Sequence, residues 1–284
     1  MRRIGNGFEK MKAIEVEDLN YSYPDGTKAL DEVTFSLQKG ESVALLGPNG
    51  AGKSTLLLHL NGLLRGQGRV RVLEREISDG NLSWIRNQVG MVFQDPDDQL
   101  FMPTLEEDVA FGPINMGLSG EEVRERTTWA LESVGLLGLS GKSPHHLSFG
   151  QRKRASLATV LSMRPQILVL DEPTSNLDPK SKKDMVSLIR KLQMGGATII
   201  AATHDVNLVP LLADRILLLN RRVVCDGESR EVLLRRGLLE RLGLEMPILA
   251  DLFEELRDDG GYTGPTPFTK AEARRAVNGL FKKK

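Results

Sequence analysis

Ser42-Val-Ala-Leu-Leu-Gly47-Pro48-Asn49-Gly50-Ala51-Gly52-Lys53-Ser54-Thr55-Leu-Leu-Leu58 joins three patterns in one short stretch. Val43 to Leu46 is an apolar run that reads as a buried strand. A glycine-rich turn follows it, and past the lysine an apolar helix pattern runs on without a breaker. This is the G-x-x-x-x-G-K-[ST] phosphate loop in its strand–loop–helix setting. Gly47, Gly50 and Gly52 let the backbone curl so that successive N–H groups face phosphate oxygens. The helix N-terminus adds partial positive charge. Pro48, Asn49, Ala51 and Thr55 complete the binding stretch. Lys53 is placed to reach the β- and γ-phosphates, and the Ser54 hydroxyl to meet Mg²⁺. The stretch predicts a bound nucleoside triphosphate.

Bulk properties narrow the setting. The 284 residues carry 38 Lys+Arg against 38 Asp+Glu. A balance of zero argues against a general binder of nucleic acid or acidic surfaces. The single cysteine, Cys225, excludes an intrachain disulfide framework, fits a reducing compartment and reads as a small core residue. No run approaches the roughly 18 apolar residues that cross a bilayer. If a membrane matters, another chain provides the span.

Working outward, Ile14, Val16 and Leu19 predict a strand running into Tyr21-Ser-Tyr23-Pro-Asp-Gly26. Val33, Phe35 and Leu37 alternate as a second strand, Gly68 to Leu73 as a third, and Val89 to Phe93 reads as a buried strand ending at Gln94. The middle, 95–162, differs in kind. Prolines punctuate it, and Gly120 to Val134 has apolar residues at helical spacing, so an inserted helical subdomain is expected. It leads to Leu147-Ser148-Phe149-Gly150-Gln151 and a helix over Ala155 to Leu161. Ile167-Leu-Val-Leu170 then ends on Asp171-Glu172, as a strand buried on both faces with carboxylates at its C-terminal end. A basic helix (Pro179 to Gln193) precedes the strand Thr198 to Thr203, which delivers His204, and Arg215–Asn220 and Arg222–Asp226 close the sheet. The domain reading is a leader over 1–11, a nucleotide-binding domain over 12–227 and a helical extension over 228–284.

The Leu-Ser-Phe-Gly-Gln stretch ahead of Asp171-Glu172, together with Gln94 and His204 in this order, resembles the nucleotide-binding subunits of ABC transporters over about Ile14 to Gly227. The resemblance implies an α/β P-loop NTPase of the ABC ATPase type. It has a mixed sheet core, an antiparallel β subdomain, an inserted helical subdomain and here a helical C-terminal extension. It implies ATP and Mg²⁺ as cofactors and hydrolysis of ATP. Carried over residue by residue, Tyr23 stacks on adenine and Asp171 is the Mg²⁺-associated carboxylate. Glu172 is the general base, Gln94 senses Mg²⁺ and water, and His204 contacts the γ-phosphate. Asp178 lies in a loop that touches a second subunit. Ser148, Gly150 and Gln151 serve the nucleotide held by that second ATPase subunit, whether an identical chain or a similar paralogue. The family has glycine where this chain has Phe149, which would be strained if the site needs a positive φ. His59, His145 and His146 lack such context and read as surface or packing residues.

Gln94-Asp95-Pro-Asp97-Asp98-Gln99-Leu-Phe101 resembles the same region in energy-coupling factor importer ATPases, which serve uptake of transition metals or vitamins. The likeness implies that Asp95, Asp97 and Asp98 meet an arginine of a membrane scaffold subunit. A turn and helix cap would use the same residues. The region past Gly227 is similar to the cobalt and nickel members, and Met246 to Leu256 has helical apolar spacing that suits packing on its own domain or on a partner. The implied setting is peripheral, on the cytoplasmic face of the cell membrane. A substrate-binding membrane subunit is contacted only indirectly, and nucleic acid not at all. A soluble ABC ATPase of DNA repair or translation would instead carry two fused cassettes, a long coiled-coil insertion or a basic groove.

Overall fold

The computed structural model describes residues 11–281. The leader expected over 1–11 lies, except for Met11, outside the described residues, and so does the basic end Lys282 to Lys284. In chain order the elements are β1 (Lys12–Ser22), β2 (Lys28–Gln38), β3 (Ser42–Leu46), α1 (Lys53–Leu60), β4 (Gln67–Val72), β5 (Arg75–Glu76), α2 (Leu82–Gln88) and β6 (Val89–Val92). The helices α3 (Leu105–Asn115), α4 (Gly120–Ser133) and α5 (Phe149–Leu161) follow, then β7 (Ile167–Asp171), α6 (Pro179–Met194), β8 (Thr198–Thr203), α7 (Val209–Leu212), β9 (Arg215–Asn220) and β10 (Arg222–Glu228). The described residues end with α8 (Ser229–Leu233), α9 (Arg236–Arg241), α10 (Ile248–Asp258) and α11 (Lys270–Phe281).

Two sheets form. β2, β1, β4 and β5 make an antiparallel sheet, while a mixed sheet runs in the order β10-β9-β3-β8-β7-β6. In the mixed sheet β9, β3, β8, β7 and β6 are parallel, and β10 is antiparallel at the edge. The side-chain alternation of strands explains the unbroken apolar runs. Val43, Leu45, Ile167 and Val169 enter a core shared with the antiparallel sheet, whereas Ala44, Leu46, Leu168 and Leu170 enter one covered by helices. With both faces covered, these strands have no polar side, as parallel sheets require.

Parallel pairing also fixes where the chemistry gathers. Leu46 pairs with Thr203, Asp171 with Ala202, and Val92 with Leu170. The phosphate loop, Asp171-Glu172, His204 and Gln94 therefore all emerge at the C-terminal edge of one sheet. That edge is the ligand side of such folds.

The helix expected over Ala155 to Leu161 begins earlier, at Phe149. Phe149 has a helical backbone rather than a positive φ, so it carries no strain. Its ring packs against the helical core, near the Arg152 guanidinium at 5.7 Å and the Lys153 ammonium at 6.0 Å. The region past β10 packs on its own chain. Val232, Leu233, Leu239, Leu244, Met246, Ala250 and Phe268 are buried in the same cluster as β7 and α5. Cys225 is half-buried at the edge of that cluster rather than within it, because β10 is an edge strand. Among the described residues no helix is long and apolar enough to cross a membrane.

Candidate functional site

The phosphate loop leaves β3 at Gly47 and enters α1 through Gly52. Gly52 sits at φ 93°, and a Cβ there would lie 2.4 Å from the Ala29 carbonyl oxygen. Both its left-handed backbone and the close approach demand glycine. Lys53 folds back on the loop, donating from Nζ to the Gly47 carbonyl at 2.7 Å and the Pro48 carbonyl at 2.9 Å. Burial pushes its pKa down against the nearby Glu172 and Asp171 carboxylates. Ser54 is exposed at the helix start, and Thr55 is buried behind it. The Tyr23 hydroxyl and Thr55 Oγ1 are 2.8 Å apart, which fixes Tyr23 over α1, and the ring meets Tyr21 edge to face.

The carboxylates close β7. Asp171 is buried, and its Oδ1 has no hydrogen-bond partner among the described residues. Burial raises its pKa, against the Ser54 hydroxyl and the Lys153 and Lys53 charges. Glu172 sits at φ 45°, an uncommon position for a side chain with a Cβ. Such strain costs on the order of 1–3 kcal/mol and persists only where neighbours over-determine it. Here they do. The Glu172 N–H donates to the Ala202 carbonyl at 3.1 Å, and its carbonyl accepts from Lys153 Nζ and Ser175 Oγ, each at 2.9 Å. Its Oε1 lies 2.8 Å from His204 Nδ1. Because the partner is a carboxylate, Nδ1 carries the hydrogen, and Nε2 faces away from Glu172. The imidazole is 56% exposed beside a carboxylate that is 7% exposed.

The signature stretch forms a capping box at the start of α5. Ser148 Oγ accepts from the Gln151 N–H at 3.3 Å, and Gln151 Oε1 accepts from the Ser148 N–H at 2.8 Å. Gly150 passes close to α6, where a Cβ would stand 2.9 Å from Ser181 Oγ. Ser181 in turn bonds Asp178, which caps α6 by accepting from the Lys180 and Ser181 N–H groups at 2.9 and 3.1 Å. Among the described residues no hydrogen bond joins Ser148, Gly150 or Gln151 to the phosphate loop. The structure thus gathers Tyr23, Gly47–Thr55, Gln94, Asp171, Glu172 and His204 on one rim, and leaves the signature stretch outside it.

One participant is absent from the sequence reading. Lys153, on α5, is fully buried. Its Nζ donates to the Gln94 carbonyl at 2.5 Å and the Glu172 carbonyl at 2.9 Å, with Ser175 Oγ at 3.5 Å. Burial lowers its pKa to about 8, with Asp171, Glu172 and Asp95 opposing. In a run of Arg152-Lys153-Arg154 it looks like part of a solvated basic face. The available signal was spacing, since Lys153, Ser156, Leu157 and Val160 share the inward stripe of the helix.

Of the acidic group after Gln94, Asp95 caps a short 3-10 turn by accepting from the Asp97 N–H at 3.0 Å. Asp97 stands 3.0 Å from Arg152 Nε, in an ion pair whose N–H is not aimed at the carboxylate. Asp98 is exposed and makes no ion pair among the described residues. Beside them Phe101 and Phe111 meet edge to face at 5.1 Å, and both are exposed, as is Ile114. His145 and His146 are exposed, while His59 is buried against Tyr21 with Nδ1 on the Thr55 carbonyl at 2.7 Å.

Comparison with known proteins gives consistent neighbours. A family model described as ABC transporter matches residues 30–175. A putative ABC transporter ATP-binding protein of Methanothermobacter thermautotrophicus is 48% identical, with 94% of this chain and 98% of that protein covered. The energy-coupling factor transporter ATP-binding protein EcfA of Methanococcus maripaludis is 45% identical, covering 96% of this chain and 99% of that protein. Among solved structures, cbiO1 from Clostridium perfringens, described as part of the ABC transporter complex cbiONQ, superposes with a TM-score of 0.73 at 41% identity, over 86% of this chain and 99% of that one. A dimeric ATP-binding cassette in a post-hydrolysis state with ADP and Pi superposes with a TM-score of 0.69 at 30% identity, over 76% of this chain and 99% of that one.

Proposed function

Because this chain belongs to the ABC transporter family and is an ATPase of the energy-coupling factor type, we propose that it is the motor subunit of an importer for a transition-metal ion, cobalt or nickel. The observation that carries the catalytic part is the Glu172–His204 pair at the sheet edge beside the phosphate loop. Glu172 takes the proton of the attacking water as the γ-phosphoryl group is transferred, and His204 holds its carboxylate in place while offering Nε2 toward the γ-phosphate. Lys53 leaves the loop carbonyls to meet the β- and γ-phosphates, and Tyr23 offers its open ring face to adenine. The loop N–H groups and the start of α1 supply fixed positive potential. Phosphoryl transfer needs little more than this positioning and charge.

The donor set fits a divalent ion. Asp171 Oδ1 is buried with no hydrogen-bond partner among the described residues, the Ser54 hydroxyl works against the burial-raised pKa of the same carboxylate, and Gln94 lies at the same edge. Asp171, Ser54 and Gln94 would hold Mg²⁺, which supplies charge neutralisation at the phosphate oxygens when bound.

We place the catalytic unit in a dimer, either of two copies or of this chain with a paralogue. Ser148 and Gly150 of one chain serve the phosphates on the other, in keeping with their separation from their own phosphate loop. Asp178 lies at the shared boundary. The domain reading of 12–227 with a helical insertion over 95–162 and an extension over 228–284 belongs to the same proposal. The motor docks at the cytoplasmic face of the membrane through the surface after Gln94. Asp98 and Asp97 provide charge there, and Phe101, Phe111 and Ile114 an apolar floor, so that a scaffold subunit is contacted directly and a substrate-binding subunit only through it. The cobalt or nickel cargo rests on the likeness of the region past Gly227 to such importers.

Mixing Lys53→Ala chains with Ser148→Arg chains tests the shared site. Each is inactive alone, and the mixed dimer should regain one working site. Rates that stay at the single-variant level in isolated mixed dimers would remove the arrangement. Purification of the complex from native membranes tests the cargo. A vitamin-binding membrane subunit in that complex would replace the metal assignment.

A further inference from the structure

The geometry points to Lys153 as a positioning residue that ties the signature helix of one composite site to the Gln94 and Glu172 loops of the other. An ammonium has three hydrogens and no acceptor. On Lys153 they meet the Gln94 carbonyl, the Glu172 carbonyl and Ser175 Oγ. Those three acceptors come from the loop after β6 and from the connection between β7 and α6, which leads to Asp178, while the lysine stands on α5. Three segments distant in sequence therefore converge on one nitrogen. The side chain is fully buried and lies under Phe149 on the same helix, so it cannot exchange these acceptors for water.

The helix geometry gives this knot its reach. Ser148 caps α5 five positions before Lys153, and a rigid helical turn and a half connects them. A displacement of the Gln94 or Glu172 carbonyl pulls on Lys153 and hence on the helix end that presents Ser148. On the shared-site reading, which this inference rests on, Ser148 faces the partner's nucleotide, while Gln94 and Glu172 of the same chain face their own. Lys153 thus lies between the two sites. Glu172 gains as well, since its strained φ is held partly by the Lys153 bond to its carbonyl. Lys153 itself touches no nucleotide.

The test uses Lys153→Met, which keeps length and apolar bulk while removing all three donors, in full-length dimers built from two differently tagged chains. One chain also carries Lys53→Ala, so that a single site works, formed by the partner's phosphate loop and the Ser148 of the Lys53→Ala chain. Lys153→Met is then placed in either chain. Both placements should lower kcat about tenfold to a hundredfold, the usual effect of misplacing catalytic groups. Binding of a fluorescent ATP analogue to the intact phosphate loop should stay within about twofold. A loss confined to the chain that holds the intact phosphate loop would overturn the link between sites, and unchanged kcat in both placements would overturn the positioning role altogether. An equal fall in kcat and nucleotide affinity, with a lowered unfolding midpoint, would also overturn it by making Lys153 a stability residue only. Lys153→Gln, which can still donate to one carbonyl, should recover part of the rate. The control mixture of Lys53→Ala and Ser148→Arg chains separates this inference from its premise. Failure there overturns the shared site, and the link with it, whereas recovery there with intact Lys153→Met rates overturns the link alone.

Discussion

His204 Nδ1 donates to Glu172 Oε1 across 2.8 Å, joining the ends of two neighbouring parallel strands at the rim of the phosphate loop. The carboxylate is buried and the imidazole half-exposed, and on the proposed function the pair presents one oriented base to the nucleotide side. Glu172→Gln keeps shape and the partner contact but removes the basic oxygen. Hydrolysis should fall about 10²–10⁴-fold, the usual worth of a general base. ATP binding should persist, and dimers should accumulate with nucleotide trapped. Steady-state turnover and size-exclusion profiles in ATP check this. His204→Ala should also slow turnover while sparing nucleotide binding, and near-normal rates in both variants would remove the assignment.

Phe149 replaces a glycine that the resemblance led one to expect, and the structure shows why it is tolerated. It opens α5 in a helical conformation and packs on the helical core. Phe149→Gly should therefore destabilise the protein by about 1–3 kcal/mol, below the full cost of deleting a buried ring because this one is only partly covered. Turnover should change little. Denaturant unfolding alongside ATPase assays measures both, and a gain in stability would mean that the ring is strained after all.

Acid should loosen the antiparallel sheet through His59. Burial depresses its pKa below the ordinary 6.5, since Nε2 is buried with no partner among the described residues, and the Nδ1 bond to the Thr55 carbonyl opposes this only in part. The unfolded chain binds this proton more readily than the folded one. The stabilisation is therefore complete above pH 6.5 and is lost as pH falls below it toward the depressed value. His59→Gln should flatten the fall in unfolding midpoint between about pH 7 and about pH 5. An unchanged acid slope in that variant would assign the effect to other groups.

The surface after Gln94 yields a prediction about docking. Asp97 pairs with Arg152 at an exposed site, so losing that pair within the free protein should cost no more than about 1 kcal/mol. Asp97→Asn combined with Asp98→Asn should leave basal ATPase intact while weakening assembly with the membrane scaffold. If an arginine is desolvated there, the loss should reach several kcal/mol, since a buried charge is left uncompensated. Pull-down with the scaffold beside ATPase assays of the free protein decides it. Unchanged assembly, or an equal loss of basal ATPase, would leave these aspartates without a docking role.

Much of the site was legible because its parts are local. The phosphate loop, the strand ending on Asp171-Glu172 and the strand delivering His204 each declare themselves within a few residues, and parallel pairing then brings their ends together. Lys153 was not legible in that way. Its acceptors are two backbone carbonyls and a serine from segments distant in sequence, and basic neighbours on either side disguise its inward spacing. Phe149 had two readings because the sequence does not state φ, and only the start of α5 at that residue separates them. The packing of the C-terminal helices on their own chain was open for a similar reason. Leu239 and Ala250 lie on separate helices and Met246 and Phe268 on the segments before α10 and α11, and their common core becomes visible only once β9 and α7 are in place.

The central claim is that ATP hydrolysis by this chain drives import, and uptake into proteoliposomes measures it most directly. The complete complex, reconstituted with this ATPase outside, would be given radiolabelled cobalt or nickel ions with and without ATP. Labelled ion should accumulate only with ATP and the wild-type chain, and accumulation should stop with Glu172→Gln although that complex still assembles and binds nucleotide. Accumulation that continues with Glu172→Gln, or that never depends on ATP, would contradict the account.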